Sequence, residues 1–323
     1  MVKYIAIKGV GSMEMTETHK ARVTKIIEDK MASGKYPVAD LTLFDSIKDL
    51  DLASDTQIKN GVEYTHELYL EYLKHIRESL TKYQQREFGK TLKNMDIIDN
   101  QALEKEDSFL VALSMGVSGD RKYAINEMIK NYGNKINKEK FLKYHDLLLK
   151  GTSSYDKLGI RDCNTKFVGS WPRGQEEPNI SYFPIDYKDI HQAIDKFIRY
   201  YNDHINDTTN DYDEFIKPIL YHGLIAALQM FNDGNTRYGR LFQHVELWGM
   251  LNNFEESKTE LPIVYGTRQY FPYREKYRGL IEDIVKQKDD EAWKKWIIFN
   301  LHRLQDSMYK SEADLNQIAM RRK

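Results

Sequence analysis

Apolar residues recur at helical spacing along most of this chain, and that recurrence predicts its elements. Residues 14–32 carry Val23, Ile26, Ile27 and Met31 at the spacing of one helix face, with Thr16 and Thr18 as candidate caps, which predicts an amphipathic helix. Residues 62–84 repeat Leu68, Leu70, Tyr72, Leu73 and Ile76, and helical patterns return near 101–116, 120–132 and 138–150. The pattern changes between 151 and 186. Four glycines, three prolines and two short β-type runs, Lys166 to Val168 and Ile180 to Phe183, predict a hairpin with an irregular tip bearing Trp171, Arg173, Glu176 and Glu177. Helical spacing resumes at Ile190, Ile194, Phe197, Ile198 and Tyr201, and again from Asp213, with Pro218 early in that second helix. The run to Leu228 and Met230 is apolar on almost every side and predicts a core helix.

Composition narrows the function classes. A chain of 323 residues with 41% hydrophobic content can bury a substantial core. Lysine plus arginine (48) and aspartate plus glutamate (49) nearly cancel, so there is no basic field to attract nucleic acid. One cysteine, Cys163, excludes an internal disulfide framework and suits a reducing compartment; it reads as a half-buried small residue. No window approaches the eighteen apolar residues of a membrane span, and the N-terminal apolar pair is too short for a signal peptide, so the expectation is a cytoplasmic protein with no membrane partner. No repeat period appears, and seven prolines leave no long linker between domains.

Candidate chemistry is concentrated in LQMFNDGNTRYGRLF, residues 228–242. Asp233, Gly234 and Asn235 all tolerate left-handed backbone, so successive amide N–H groups can converge on one concavity. The next helix is predicted to start at about Thr236 to Tyr238, turning its positive end to the same hollow. Arg237 and Arg240, three apart, share a face of that helix, and Asp233 at the rim could hold a divalent cation bridging phosphate oxygens. The residues describe a polyphosphate site. Their spacing alone equally describes a helix-turn-helix corner whose arginines pair with surface carboxylates.

The segment Gln229 to Arg240 resembles the signature of the Fic (Fido) family, H-P-F-x-[D/E]-G-N-G-R-x-x-R. Upstream, ILYHGLIAAL resembles that family's core helix, with His222 seven residues before the first signature position. LLLKG, GIRD and TKFVGSW resemble the lead into its target-binding flap, and YREKYRGLIEDIVKQKDDEAWKKWIIFNL resembles its closing helices, so the likeness covers roughly residues 50 to 310. The resemblance implies an all-α helical bundle with a small β-hairpin flap. It divides the chain into a helical N-terminal region (1–135), a Fic core (136–312) and a tail (313–323). It also implies transfer of AMP from ATP to a protein hydroxyl. In that frame Gly234, Asn235, Thr236, Arg237, Tyr238, Gly239 and Arg240 surround the phosphates, and Asp233 holds Mg²⁺. Lys166, Phe167, Val168 and Gly169 form the flap to which a target strand adds, and Tyr277 falls near the nucleotide base.

Three of the departures from the family pattern bear on its chemistry. Thr236 replaces the second glycine, a mild change in a first helical turn. Gln229 stands where the family has the histidine that deprotonates the attacking hydroxyl. An amide cannot be that general base, a role worth roughly 10² to 10⁴ in rate. Asp233 is the only close carboxylate, and its use as a base would compete with metal binding. His222 lies two turns back, about 10 Å away by helical rise, and reads as structural, while His244 points away from the loop. Far upstream, ASDTQIKNGVEYTHEL aligns Lys59 with the glutamate of an inhibitory helix that restrains many family members; a lysine would repel Arg240 rather than pair with it. The same segment also reads as a capped helix start near Asp55. The leading expectation is therefore an attenuated AMP transferase. Two alternatives stand beside it: a catalytically inactive regulator that binds nucleotide or protein, and an enzyme acting on another phosphorylated substrate.

Overall fold

The computed structural model describes residues 17–48, 50–52, 54–89, 91–92, 126–128, 130–131, 133–149, 158–172, 175–204, 215–253 and 267–320. The helices expected at 101–116 and over the first half of 120–132 lie outside them, as does Arg173. Among the described residues the architecture is mostly helical with one small antiparallel sheet. Its helices include α1 (Glu17–Ala32), α2 (Leu43–Lys48), α3 (Thr56–Ser79), α4 (Lys138–Leu149), α5 (Ile190–His204), α6 (Ile216–Leu228), α7 (Asn235–Asn253), α8 (Arg274–Gln287) and α9 (Asp290–Met320). The hairpin of β1 (Val168–Ser170) and β2 (Asn179–Tyr182) stands between α4 and α5. No helix among the described residues is long and apolar enough to cross a membrane.

Helix α6 is the axis of the molecule. All of its residues except Lys217 are buried, and Pro218 sits in the first turn, where a missing N–H removes no intrahelical bond. Gly223 allows α9 to come close: a Cβ there would meet the Trp293 ring at 2.6 Å and Trp296 Nε1 at 2.9 Å. Trp296 Nε1 donates to Ile219 O (2.9 Å) and Trp293 Nε1 to Ser46 Oγ (2.8 Å), so both indoles are buried with their polar atoms satisfied. α7 packs along α6, and α3 packs along α9, where Gln305 Nε2 donates to Thr65 Oγ1 at 2.9 Å.

α3 starts earlier than periodicity predicts, because the Asp55 carboxylate caps it by accepting Ile58 N–H at 3.0 Å. At the other end of the chain, α9 runs unbroken through position 312 and buries Leu315, so residues 313–320 continue the last helix.

The hairpin is shorter than expected at its first strand, which begins at Val168. Lys166 turns away from the ladder, its ammonium reaching Phe231 O (3.3 Å) and Asn232 O (3.4 Å). Gly169 follows a bulge in the register, and a Cβ there would lie 2.1 Å from Asn179 O. Helix α1 covers one face of the hairpin. Val23, Ile27 and Phe183 form a small core with Phe167, Trp171 and Ile180, while Lys30 bonds Glu177 (2.5 Å) and Arg22 pairs with Glu176 (3.7 Å). Glu176 and Glu177 are thus tied to α1, a contact that local sequence pattern does not encode.

Candidate anion-binding site

The site is built at the break between α6 and α7. α6 ends at Gln229, whose backbone is left-handed (φ 52°, ψ 49°), a conformation that costs a non-glycine residue roughly 1–2 kcal/mol. Arg161 holds it there. Arg161 is 5% exposed; its Nε donates to Gln229 O (2.8 Å), Nη1 to Cys163 O (3.0 Å) and Nη2 to Ile185 O, and its backbone N–H bonds Met230 O at 3.1 Å. Burial lowers the guanidinium pKa to about 10, so it remains charged at neutral pH. The Gln229 side chain folds back on its own helix, Nε2 donating to Ala226 O at 2.7 Å, and is 8% exposed.

Of the three residues that tolerate left-handed backbone, only Gly234 adopts it (φ 78°); Asp233 and Asn235 do not. The reason is that Asn235 already belongs to α7, which therefore starts one residue before the predicted range. Its amide closes a ring across the loop, Oδ1 accepting Phe231 N–H (2.8 Å) and Nδ2 donating to Phe231 O (2.9 Å). Gly234 needs both its backbone freedom and its lack of a Cβ, which would lie 2.8 Å from Leu149.

One residue absent from the sequence reading anchors the loop from below. His145 on α4 is fully buried, stacks on Phe231 (3.8 Å, 8°) and bonds Asp233 O through Nε2 at 2.8 Å. A carbonyl only accepts, so Nε2 carries the proton. The signal was a lone histidine on the apolar stripe of Phe141, Tyr144, Leu148 and Leu149. Asn232 fastens the loop laterally, its N–H bonding Gly159 O (3.1 Å) and its amide reaching Leu158 O and Ile160 O (both 3.3 Å).

The charged groups converge at the start of α7. Asp233 Oδ1 accepts Gly234 N–H at 2.6 Å and lies 3.2 Å from Arg237 Nη2. This arrangement does not fit a resident divalent cation. The one carboxylate is committed to a guanidinium, and the described residues contain no group of three or more His, Cys, Asp or Glu side chains that could hold a metal. Thr236 is half-buried in the first turn, where N–H groups point out of the helix end.

Arg240 is fully buried and begins a polar relay. Its Nη1 donates to Tyr277 Oη (3.4 Å), Tyr277 donates to His222 Nε2 (2.8 Å), and His222 Nδ1–H donates to Gln243 Oε1 (2.6 Å). Burial and the Arg240 charge hold the His222 pKa well below its usual value, which keeps the ring neutral and fits this proton assignment. His222 is structural, as its distance from Gln229 implies. Tyr277 is also committed in the core, its phenol bonding His222 and Arg240.

Two expected phosphate residues serve packing instead. Tyr238 is buried with its hydroxyl on Phe141 O (2.8 Å), and Gly239 is where α6 and α7 touch, a Cβ meeting His222 Cδ2 at 2.7 Å and His222 O at 3.0 Å. Lys59 is exposed in the first turn of α3, whose packing partner is α9. Gly239→Ala is therefore expected to cost about 1–3 kcal/mol by overpacking and to displace the neighbouring Arg240. Urea unfolding of the variant measures this, and a loss below 0.5 kcal/mol (about the noise for independent sites) would show that the helices separate freely.

At this break Asp233 pairs with Arg237 at 3.2 Å, and Arg240 follows about one turn later on α7. Residues 135–247 match the model of the Fic/DOC family. The match takes in the hairpin, α6, the loop and most of α7, and leaves out Lys59 and Tyr277. The fold is similar to that of a Fic family protein from Desulfovibrio desulfuricans G20, at 17% identity and a TM-score of 0.53, over 80% of this chain and 75% of that one. It is also similar to Fic-1 (residues 134–508) from C. elegans, at 13% identity and a TM-score of 0.51, over 80% of this chain and 73% of that one. At these identities the likeness establishes a Fic-type fold and says nothing of substrates.

Proposed function

We propose that the chain is a Fic-type nucleotide-binding protein in which AMP transfer from ATP to a protein hydroxyl is attenuated by Gln229. The observation that carries this reading is the placement of Arg237 and Arg240 on the first turns of α7, within the Fic-matching segment and beside the loop after Phe231. Helix-end amides and guanidinium groups stabilise linked phosphates. ATP enters with Mg²⁺ as part of the substrate, in the cytoplasm. The α-phosphorus gains a bond to the target oxygen, its bond to the pyrophosphate oxygen breaks, and the hydroxyl proton goes to solvent because Gln229 cannot accept it. Gly169 and Ser170, exposed on β1, offer the strand edge along which a target segment adds.

Labelled ATP with Mg²⁺ and a cell lysate tests the proposal. Slow labelling by the native protein is expected, abolished in Arg240→Ala and raised on the order of 10²-fold in Gln229→His, which restores a base. Labelling that survives Arg240→Ala would sink it. A second reading, a non-catalytic nucleotide-binding regulator, is favoured by the fold-back of the Gln229 amide onto Ala226 O, and it predicts labelling only in Gln229→His. The third reading, an enzyme acting on another phosphorylated substrate, predicts nucleotide-independent turnover.

A further inference from the structure

The Asp233 carboxylate already occupies the amide and guanidinium groups that the proposed function assigns to phosphate. Its Oδ1 takes the Gly234 N–H at 2.6 Å and lies 3.2 Å from Arg237 Nη2, at the positive end of a 19-residue helix. A carboxylate so placed is held by amide, guanidinium and helix dipole together. The two partners differ in freedom. The Arg237 side chain is 4% exposed and cannot follow a departing partner, whereas that of Asp233 is 32% exposed and can rotate out to water. The Asp233 backbone stays in place throughout, since its carbonyl is pinned by His145 and its neighbour Asn232 by three bonds to residues 158–160.

We propose that Asp233 is an internal stopper that makes this site selective for ligands with two or more linked phosphates. The inference rests on reading the loop as a phosphate site. An orthophosphate exchanges one bound anion for another and gains little. Linked phosphates bring more negative charge to Arg237 and the helix end, enough to expel the carboxylate, and a divalent cation carried by the ligand gives the expelled group a counter-charge. A constitutive metal ligand predicts the opposite sign, because its removal would weaken binding.

Isothermal titration of the full chain with orthophosphate, pyrophosphate, tripolyphosphate and ATP, in EDTA and then in Mg²⁺, separates the two. Asp233→Asn keeps an acceptor for Gly234 N–H and removes the charge. It is expected to bind metal-free tripolyphosphate about tenfold more tightly than the native protein, to bind orthophosphate measurably, and to lose the stimulation by Mg²⁺. Equal or weaker binding overturns the stopper. Asp233→Ser carries the same expectation and replaces the asparagine variant if that one fails to fold. Tripolyphosphate binding with the expected difference, but no ATP binding by either form, would keep the stopper and remove the nucleotide reading. ATP bound equally by both forms would remove the stopper alone, and no binding of any anion would overturn both.

Discussion

Arg161→Ala is expected to destabilise the protein by on the order of 4 kcal/mol and to abolish the anion binding proposed above. The guanidinium satisfies three main-chain carbonyls from separate parts of the chain: Gln229 at the end of α6, Cys163 before the hairpin, and Ile185 after it. Each buried acceptor left unmet costs about 1–3 kcal/mol, partly relieved if water enters the space. The loss also releases Gln229 from its left-handed conformation, which sets the direction of the whole loop. Arg161→Lys should recover less than half of the stability, since a single ammonium cannot span three carbonyls met by a planar fork. Urea unfolding measures the first effect and titration with tripolyphosphate the second. A loss under about 1 kcal/mol, the usual size of an ordinary substitution, would show that the strap around 158–163 stands without this residue.

The second large effect concerns a group the site does not use. Glu246 on α7 is buried, its Oε1 accepting a hydrogen bond from Tyr201 Oη at 2.9 Å. Burial raises its pKa to about 8, the Tyr201 bond opposing the shift only in part. The folded protein therefore keeps a proton that the unfolded chain, titrating near the ordinary carboxyl value, has released. Between those two pKa values the native state binds more protons, so stability falls as pH rises from about 4.5 to about 8 and is level above that range. The full span is on the order of 4 kcal/mol for a group this buried. Glu246→Gln keeps the acceptor for Tyr201 and removes the titration. Its melting temperature should exceed that of the native protein at pH 8 and match it near pH 5. Parallel pH profiles for the two proteins would mean that Glu246 titrates normally.

Much of the helical content was legible because helices bury one face and record the fact at 3.6-residue spacing. α1, α4 and α5 follow that spacing closely, and α6 announces itself as a core helix because only Lys217 escapes burial. The boundaries were less legible where a side chain, not periodicity, sets them. Asn235 starts α7 by bonding across its own loop, and Lys166 leaves the strand to reach two carbonyls, whereas the α3 start near Asp55 was read from its capping chemistry.

The candidate site was read in outline and not in detail. Local sequence places Arg237 and Arg240 on one helix face, but it cannot report that Arg240 is fully buried behind Tyr277 or that Arg237 already has Asp233 as a partner. Nor could it find His145 and Arg161, whose partners at the loop lie 88 and 68 positions further along the chain.

By itself, then, the amino-acid sequence determined the helical class, the hairpin and the interruption after Phe231. Each is a property of residue type and short-range spacing. The tertiary structure alone decided that Gln229 is held left-handed by Arg161, that Gly239 and Tyr238 serve packing, and that α1 clasps the hairpin tip through Lys30 and Glu177. These depend on which carbonyls, rings and charges arrive from distant segments, and a buried group's role is set by its partners in space.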